Sequence, residues 1–201
     1  MKDKIFIALL ITIMFSGCAE KGGEVLTKLN GKNVLFIVAQ QNFRDEELSK
    51  PKQILEKEGA KVKVASITRE QAIGMLGMKI IPELAVRDAN PNEFDALVIV
   101  GGSGSPKLAE YPEVINILKK FKEQEKPIAA ICLAPYVLAK AGILEGKNVT
   151  LYPADFAIAE IRRAKANYVE KPVVVDGRII TADGPQSAEM FGNEIVNILS
   201  K

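Results

Sequence analysis

Three short, almost wholly apolar runs constrain the fold most: Asn33–Ala39 (NVLFIVA), Ala96–Val100 (ALVIV) and Pro127–Cys132 (PIAAIC). Each has the length of a strand but lacks the polar alternation of a sheet with one wet face, so each must be covered on both sides. Helical spacing fills the gaps. Asp45–Glu58 carries Leu48, Ile54 and Leu55 on one side and stops at Gly59, and Pro112–Lys122 carries Val114, Ile117, Leu118 and Phe121. Lys61–Ser66 alternates as a strand, and Ala134–Ala141 is a short helix before Gly142. Asp155–Ala164 reads as a helix with Phe156, Ile158 and Ile161. Val173–Val175 and Arg178–Thr181 flank Asp176-Gly177 as a hairpin. Gln186–Leu199 closes the chain as a helix with Met190, Phe191, Ile195, Ile198 and Leu199 inward. This order predicts an α/β fold: a doubly wound, three-layer sandwich with a mostly parallel sheet and helices on both faces. Ligands of such sheets sit beyond the carboxyl ends of the strands. That rule selects Gln40–Glu47, Gly101–Pro106 and Cys132–Pro135.

The first residues read as an address. Lys2 and Lys4 precede an apolar run, Ile5–Phe15, of 11 residues, well short of the roughly 20 that span a bilayer as a helix. Residues 1–17 therefore resemble a secretory signal, and Ser16-Gly17-Cys18 resembles the end of a lipoprotein signal, although Phe15 replaces the usual aliphatic residue. Cys18 is read as the lipidated first residue of an exported protein anchored at the outer face of the cell membrane. An ordinary signal or an uncleaved anchor is the other reading. Residues 18–32 follow as a tether and 33–201 as the domain.

The sequence contains no histidine. This excludes Ser-His-Asp triads, Cys-His dyads, HExxH zinc sites and imidazole bases. With 27 Lys and Arg against 25 Asp and Glu, the net charge of +2 leaves no electrostatic footprint for nucleic acid. Two cysteines form neither a disulfide framework nor a cysteine-rich metal site, so no such metal site is expected. With Cys18 assigned to lipid, Cys132 is the lone thiol. It ends a strand and precedes a helix, where turn N–H groups and the helix dipole are expected to lower its pKa. The alternative is a buried cysteine packing as a small hydrophobe. Lys119, Lys120, Lys122, Arg162, Arg163 and Lys165 read as solvated helix faces.

The segment Ala129-Ala130-Ile131-Cys132-Leu133-Ala134-Pro135, followed by Leu138–Lys147, resembles the cysteine elbow of the superfamily of PfpI intracellular protease and DJ-one, the parkinsonism-associated deglycase. Three further segments agree in order: Phe43–Glu47 with Pro51 and Leu55, Glu93–Gly102, and Val175–Gly177 through Thr181–Pro185. The resemblance runs from about Asn33 to Lys201 and implies a flavodoxin-like, class I glutamine amidotransferase-like fold. It implies that Glu47, four residues before Pro51, places a carboxyl against the thiol. Pro51 has no N–H to bond the Glu47 carbonyl, which loosens the helix there. A carboxyl beside a thiolate must carry a proton. On the residues alone, Asp45, Glu46 and Glu47 are equally acids favoured in a first helical turn.

The resemblance also implies an oxyanion hole from the N–H groups of Gly102 and Leu133; read alone, Gly101–Ser105 is a flexible loop. Protease-like members have a histidine where this chain has Leu133 and an acid from a neighbouring subunit where it has Lys107. Arg44 replaces a second acid, and Tyr152 stands where DJ-one-like members carry a histidine. Tyr152 and Asp183 are expected in the substrate pocket. The function implied is thiol chemistry on small reactive carbonyls, as in glyoxalase and deglycase members, by a homo-oligomer needing no cofactor. A redox-sensing, stress-protective protein and a non-catalytic binding module are the alternatives. Peptide hydrolysis lacks its general acid.

Overall fold

The computed structural model describes residues 27–201. Residues 1–26, with the expected signal, Cys18 and most of the tether, lie outside the described residues. The central sheet has seven strands, numbered here along the chain: β1 (Asn33–Ile37), β2 (Lys61–Ser66), β3 (Leu84–Ala85), β4 (Ala96–Ile99), β5 (Ile128–Ile131), β6 (Val173–Asp176) and β7 (Ile179–Ala182). Their order is β6-β7-β5-β4-β1-β2-β3, parallel except for the β6–β7 hairpin. The helices are α1 (Asp45–Lys57), α2 (Pro112–Glu123), α3 (Pro135–Lys140), α4 (Asp155–Arg163) and α5 (Ala188–Leu199).

Alternate side chains of one strand supply two cores. Leu35, Ile37, Leu97 and Ile99 pack with α2, α3 and α4, whereas Val34, Phe36, Val98 and Val100 pack with α1 and α5. The predicted three-layer α/β sandwich is therefore the fold. Among the described residues no helix is long and apolar enough to cross a membrane.

Three local expectations are corrected. Met190 is expected inward yet is 52% exposed, as is Phe156 on α4. Phe156 instead meets the Tyr136 ring edge-on at a centroid distance of 5.7 Å. Met190 lies about 100° around α5 from the buried Phe191. The predicted start of the last helix, Gln186, belongs to a 3₁₀ turn, Pro185–Ser187, that precedes α5. The segment expected as a tether up to residue 32 joins the fold earlier. Leu29 is fully buried in the α1–α5 core, its N–H bonds the Glu58 carbonyl at 2.8 Å, and the Lys32 carbonyl accepts the Lys61 N–H at 2.8 Å. Residues 18–32 carry too little apolar periodicity to reveal this.

Between β2 and β4 the chain adds β3 and a small arm in which Ala72–Gly74 pairs with Gln41–Phe43 and Lys79–Ile80. These strands of two or three residues are too short to leave a sequence pattern. Leu29→Ala is expected to lower stability in urea unfolding by about 2–4 kcal/mol, and the exposed Lys28→Ala to change it by less than about 0.5 kcal/mol.

Candidate active site

The carboxyl ends of β4 and β5 and the start of α1 converge on Cys132. It follows β5 directly and has φ +61°, a left-handed conformation that costs a non-glycine residue about 1–3 kcal/mol. The surroundings hold it there. Its N–H bonds the Ala182 carbonyl at the end of β7 and its carbonyl accepts the Tyr152 N–H, both at 2.9 Å. The thiol is 8% exposed and opens into a cavity of about 370 Å³.

Beside it, Gly101 and Gly102 let the end of β4 approach closely. A Cβ on Gly101 would collide with a Glu47 carboxyl oxygen, the Ile131 carbonyl and Cys132 Cβ. Gly102 has φ +100°, and a Cβ there would strike the backbone of Asn42, Phe43 and Arg44. The Gly101 carbonyl also accepts the Arg44 N–H at 3.0 Å, which ties the start of α1 to this turn.

Glu47 is fully buried in the first turn of α1, and neither carboxyl oxygen meets a conventional hydrogen-bond partner. Burial pushes its pKa up to about 8, with the Cys132 thiol the leading opposing influence. For Cys132, burial first and an ionised Glu47 second push the thiol up to about 12, while the N–H groups of Gly102 and Leu133 favour the charged sulfur. The rise caused by Glu47 exists only while that carboxyl is ionised. Because either group can lose the pair's first proton, the first loss falls at or below the value for Glu47 alone, about 8. After it one negative charge remains. The N–H groups of Gly102 and Leu133 favour it on sulfur, whereas the Cys132 thiol, Arg44 and the Gly101 backbone favour it on the carboxyl. A thiolate facing a protonated Glu47 is the singly charged state in which the sulfur uses both of those N–H groups.

This corrects the source of activation expected from the sequence. The helix after Cys132 begins at Pro135 and has six residues, too few for a substantial dipole. Burial and the neighbouring Glu47 raise the thiol instead, and the N–H groups of Gly102 and Leu133 oppose them.

Of the other predicted residues, Gly102, Leu133 and Tyr152 line the cavity. Asp183 does not: its carboxylate accepts the Ser187 hydroxyl ahead of α5. The cavity adds Met75 and Gln186, which carried no site signal in the sequence, and Ser103 and Arg44 from the strand-end segments that the sequence selected. Asp45 sets the Met75 wall, its carboxylate accepting the N–H groups of Leu76 and Met78 at 2.9 and 2.8 Å. The sequence reading made it a plain first-turn acid. Among the described residues no three His, Cys, Asp or Glu side chains gather as a metal site.

The model of the DJ-1/PfpI family matches residues 32–198. The chain belongs to that family. It is 42% identical over 202 residues to an uncharacterised protein of Methanocaldococcus jannaschii, covering 100% of this chain and 98% of that one. It is 34% identical over 165 residues to a deglycase of Pyrococcus abyssi, covering 82% of this chain and 98% of the relative. The crystal structure of a ThiJ/PfpI domain protein from Brachyspira murdochii superposes with a TM-score of 0.80 at 38% identity, covering 84% of this chain and 98% of that one.

The shared-proton arrangement predicts that alkylation of Cys132 followed against pH has its midpoint under the roughly 8.5 of a free thiol, although burial by itself raises the thiol. Glu47→Gln leaves the thiol to titrate alone against burial, so the midpoint rises. A midpoint above 8.5 in the unaltered protein, or one indifferent to Glu47→Gln, contradicts the shared proton.

Proposed function

We propose that this DJ-1/PfpI family member is a cysteine-dependent enzyme acting on small reactive carbonyls, of glyoxalase or deglycase type. The observation that carries the reading is the buried Glu47 carboxyl, without a conventional partner, set against a left-handed cysteine that opens into a cavity. The Cys132 thiolate adds to the carbonyl carbon and forms the C–S bond, and the carbonyl electron pair moves to oxygen. The N–H groups of Gly102 and Leu133 hold that oxygen as its charge develops. Glu47 gives it the proton it carried, leaving a hemithioacetal and a carboxylate able to take a proton back in the next step. Tyr152, half exposed at the rim, offers a hydroxyl to the substrate.

A volume of about 370 Å³ suits a small molecule. The deglycase relatives support the same class of chemistry. Peptide hydrolysis gains little support, because Leu133 and Tyr152 supply no imidazole for the leaving amine.

Methylglyoxal turnover by the purified chain is expected to vanish in Cys132→Ala and to fall about a hundredfold or more in Glu47→Gln. Turnover that survives Cys132→Ala overturns the proposal. A stable gain of two oxygens at Cys132 under mild peroxide, with no carbonyl turnover, would make the pair a redox sensor instead.

A further inference from the structure

The sheet changes winding direction between β1 and β4. From β1 the chain passes outward to β2 and β3, then returns to β4 on the other side of β1 and proceeds outward to β5. Doubly wound sheets take ligands in the crevice beyond the strand ends at such a switch point. The Cys132 cavity lies one strand further on, at β4 and β5. The crevice at the switch point itself is a second cavity of about 340 Å³.

Its walls come from the chain following β1, with Gln40, Gln41 and Asn42, and from the chain following β4, with Ser103 and Lys107; Tyr111 also lines it. Ser103 lines both cavities, and it is an exposed residue of the turn whose glycines pack on the backbone of Gln41–Arg44.

The charges around the two spaces are one-sided. The single acid lining either is Glu47, whose burial favours its neutral form. The cations are Arg44 and Lys107. Arg44 is committed to Glu46, with its Nε 2.8 Å and a terminal nitrogen 3.1 Å from the two carboxylate oxygens. Lys107 is exposed and makes no ion pair among the described residues. On its far side it borders a separate space together with Glu110 and Lys140.

Part of the amide chemistry near the crevice is already used. The Gln40 side chain accepts from the Thr68 N–H and hydroxyl and donates to the Glu70 carbonyl. The Asn42 carbonyl accepts the Gly104 N–H. What remains to meet a ligand is the Lys107 ammonium, the side-chain amides of Gln41 and Asn42 and the hydroxyls of Ser103 and Tyr111, with no carboxylate lining the cavity.

We propose that the switch-point cavity receives the carboxylate end of the substrate, so that the preferred substrates are carbonyl compounds whose tail passes from Cys132 over Ser103 to a carboxylate at Lys107. The proposal rests on Cys132 as the attacking group. It adds to the carbonyl reading a substrate class that the thiol and Glu47 do not specify. A hydrogen-bonded charge pair at a partly exposed site gives about a tenfold preference, and one that weakens with salt.

Two assays on the full-length chain separate this proposal from the reading beneath it. The first is alkylation of Cys132, located by peptide mass spectrometry, with iodoacetamides whose N-linked alkyl tail ends in a carboxylate or in its methyl ester. The second is turnover of 2-oxoaldehydes with the same pair of tail ends. The expected result is a carboxylate-to-ester rate ratio of about ten at low salt for tails of intermediate length. The ratio should fall on adding salt, drop to about one in Lys107→Met, and persist in Lys119→Met on an exposed face of α2. A ratio near one in the unaltered chain, or a ratio unchanged by Lys107→Met, overturns the proposal. Carboxylate preference in alkylation without turnover of either aldehyde upholds the cavity and overturns the carbonyl reading. Equal turnover of both aldehydes upholds the carbonyl reading and overturns the cavity.

Discussion

Glu47 has two carboxyl oxygens buried without a conventional partner and a thiol beside them, and much of the local architecture follows from that contact. An ionised carboxylate in such a place is costly, because burial removes its hydration and no donor replaces it. The carboxyl answers by keeping its proton, and the nearest acceptor able to use that proton is sulfur. The same burial that raises the carboxyl therefore turns it from a repulsive neighbour of Cys132 into a donor. With the N–H groups of Gly102 and Leu133, the sulfur faces donors from three parts of the chain.

The sheet order makes that meeting possible. β4 lies between β1 and β5, so the turn after β4 touches both the start of α1, which follows β1, and the elbow that follows β5. Gly101 is the residue through which all three pass. Its missing side chain leaves the space occupied by the Glu47 carboxyl and Cys132 Cβ, and its carbonyl anchors the N–H of Arg44. The strained backbone of Cys132 is held by bonds to Ala182 and Tyr152 on its other side. The helix dipole is a small contributor, since α3 has only six residues and starts beyond the elbow.

The sequence made legible whatever leaves a period or a spacing. Apolar runs marked β1, β4 and β5, and helical spacing marked the five helices to within one or two residues at most ends. Cys132, Glu47, Gly102 and Leu133 were chosen from segments whose order resembles the family, and the fold brings the four together. Contacts made by single residues across the chain were not legible. Leu29 docks from the stretch expected as a tether, Met75 comes from an arm with strands of two or three residues, and Asp45 bonds backbone N–H groups more than thirty positions away. Asp183 was misplaced because its carboxylate meets the Ser187 hydroxyl rather than the cavity. Phe156 and Met190 show that an apolar residue on a helix is inward only if its angle agrees with its neighbours.

The claim on which the account depends is that Glu47 carries a proton at neutral pH, and infrared spectroscopy reads this directly. Difference spectra of the unaltered chain against Glu47→Gln at pH 7 should contain the carbonyl stretch of a protonated carboxylic acid assignable to Glu47. A Glu47 signal found only among the carboxylate bands at pH 7 would mean that the side chain is ionised beside the thiol. The shared proton, and the activation of Cys132 that follows from it, would then be wrong.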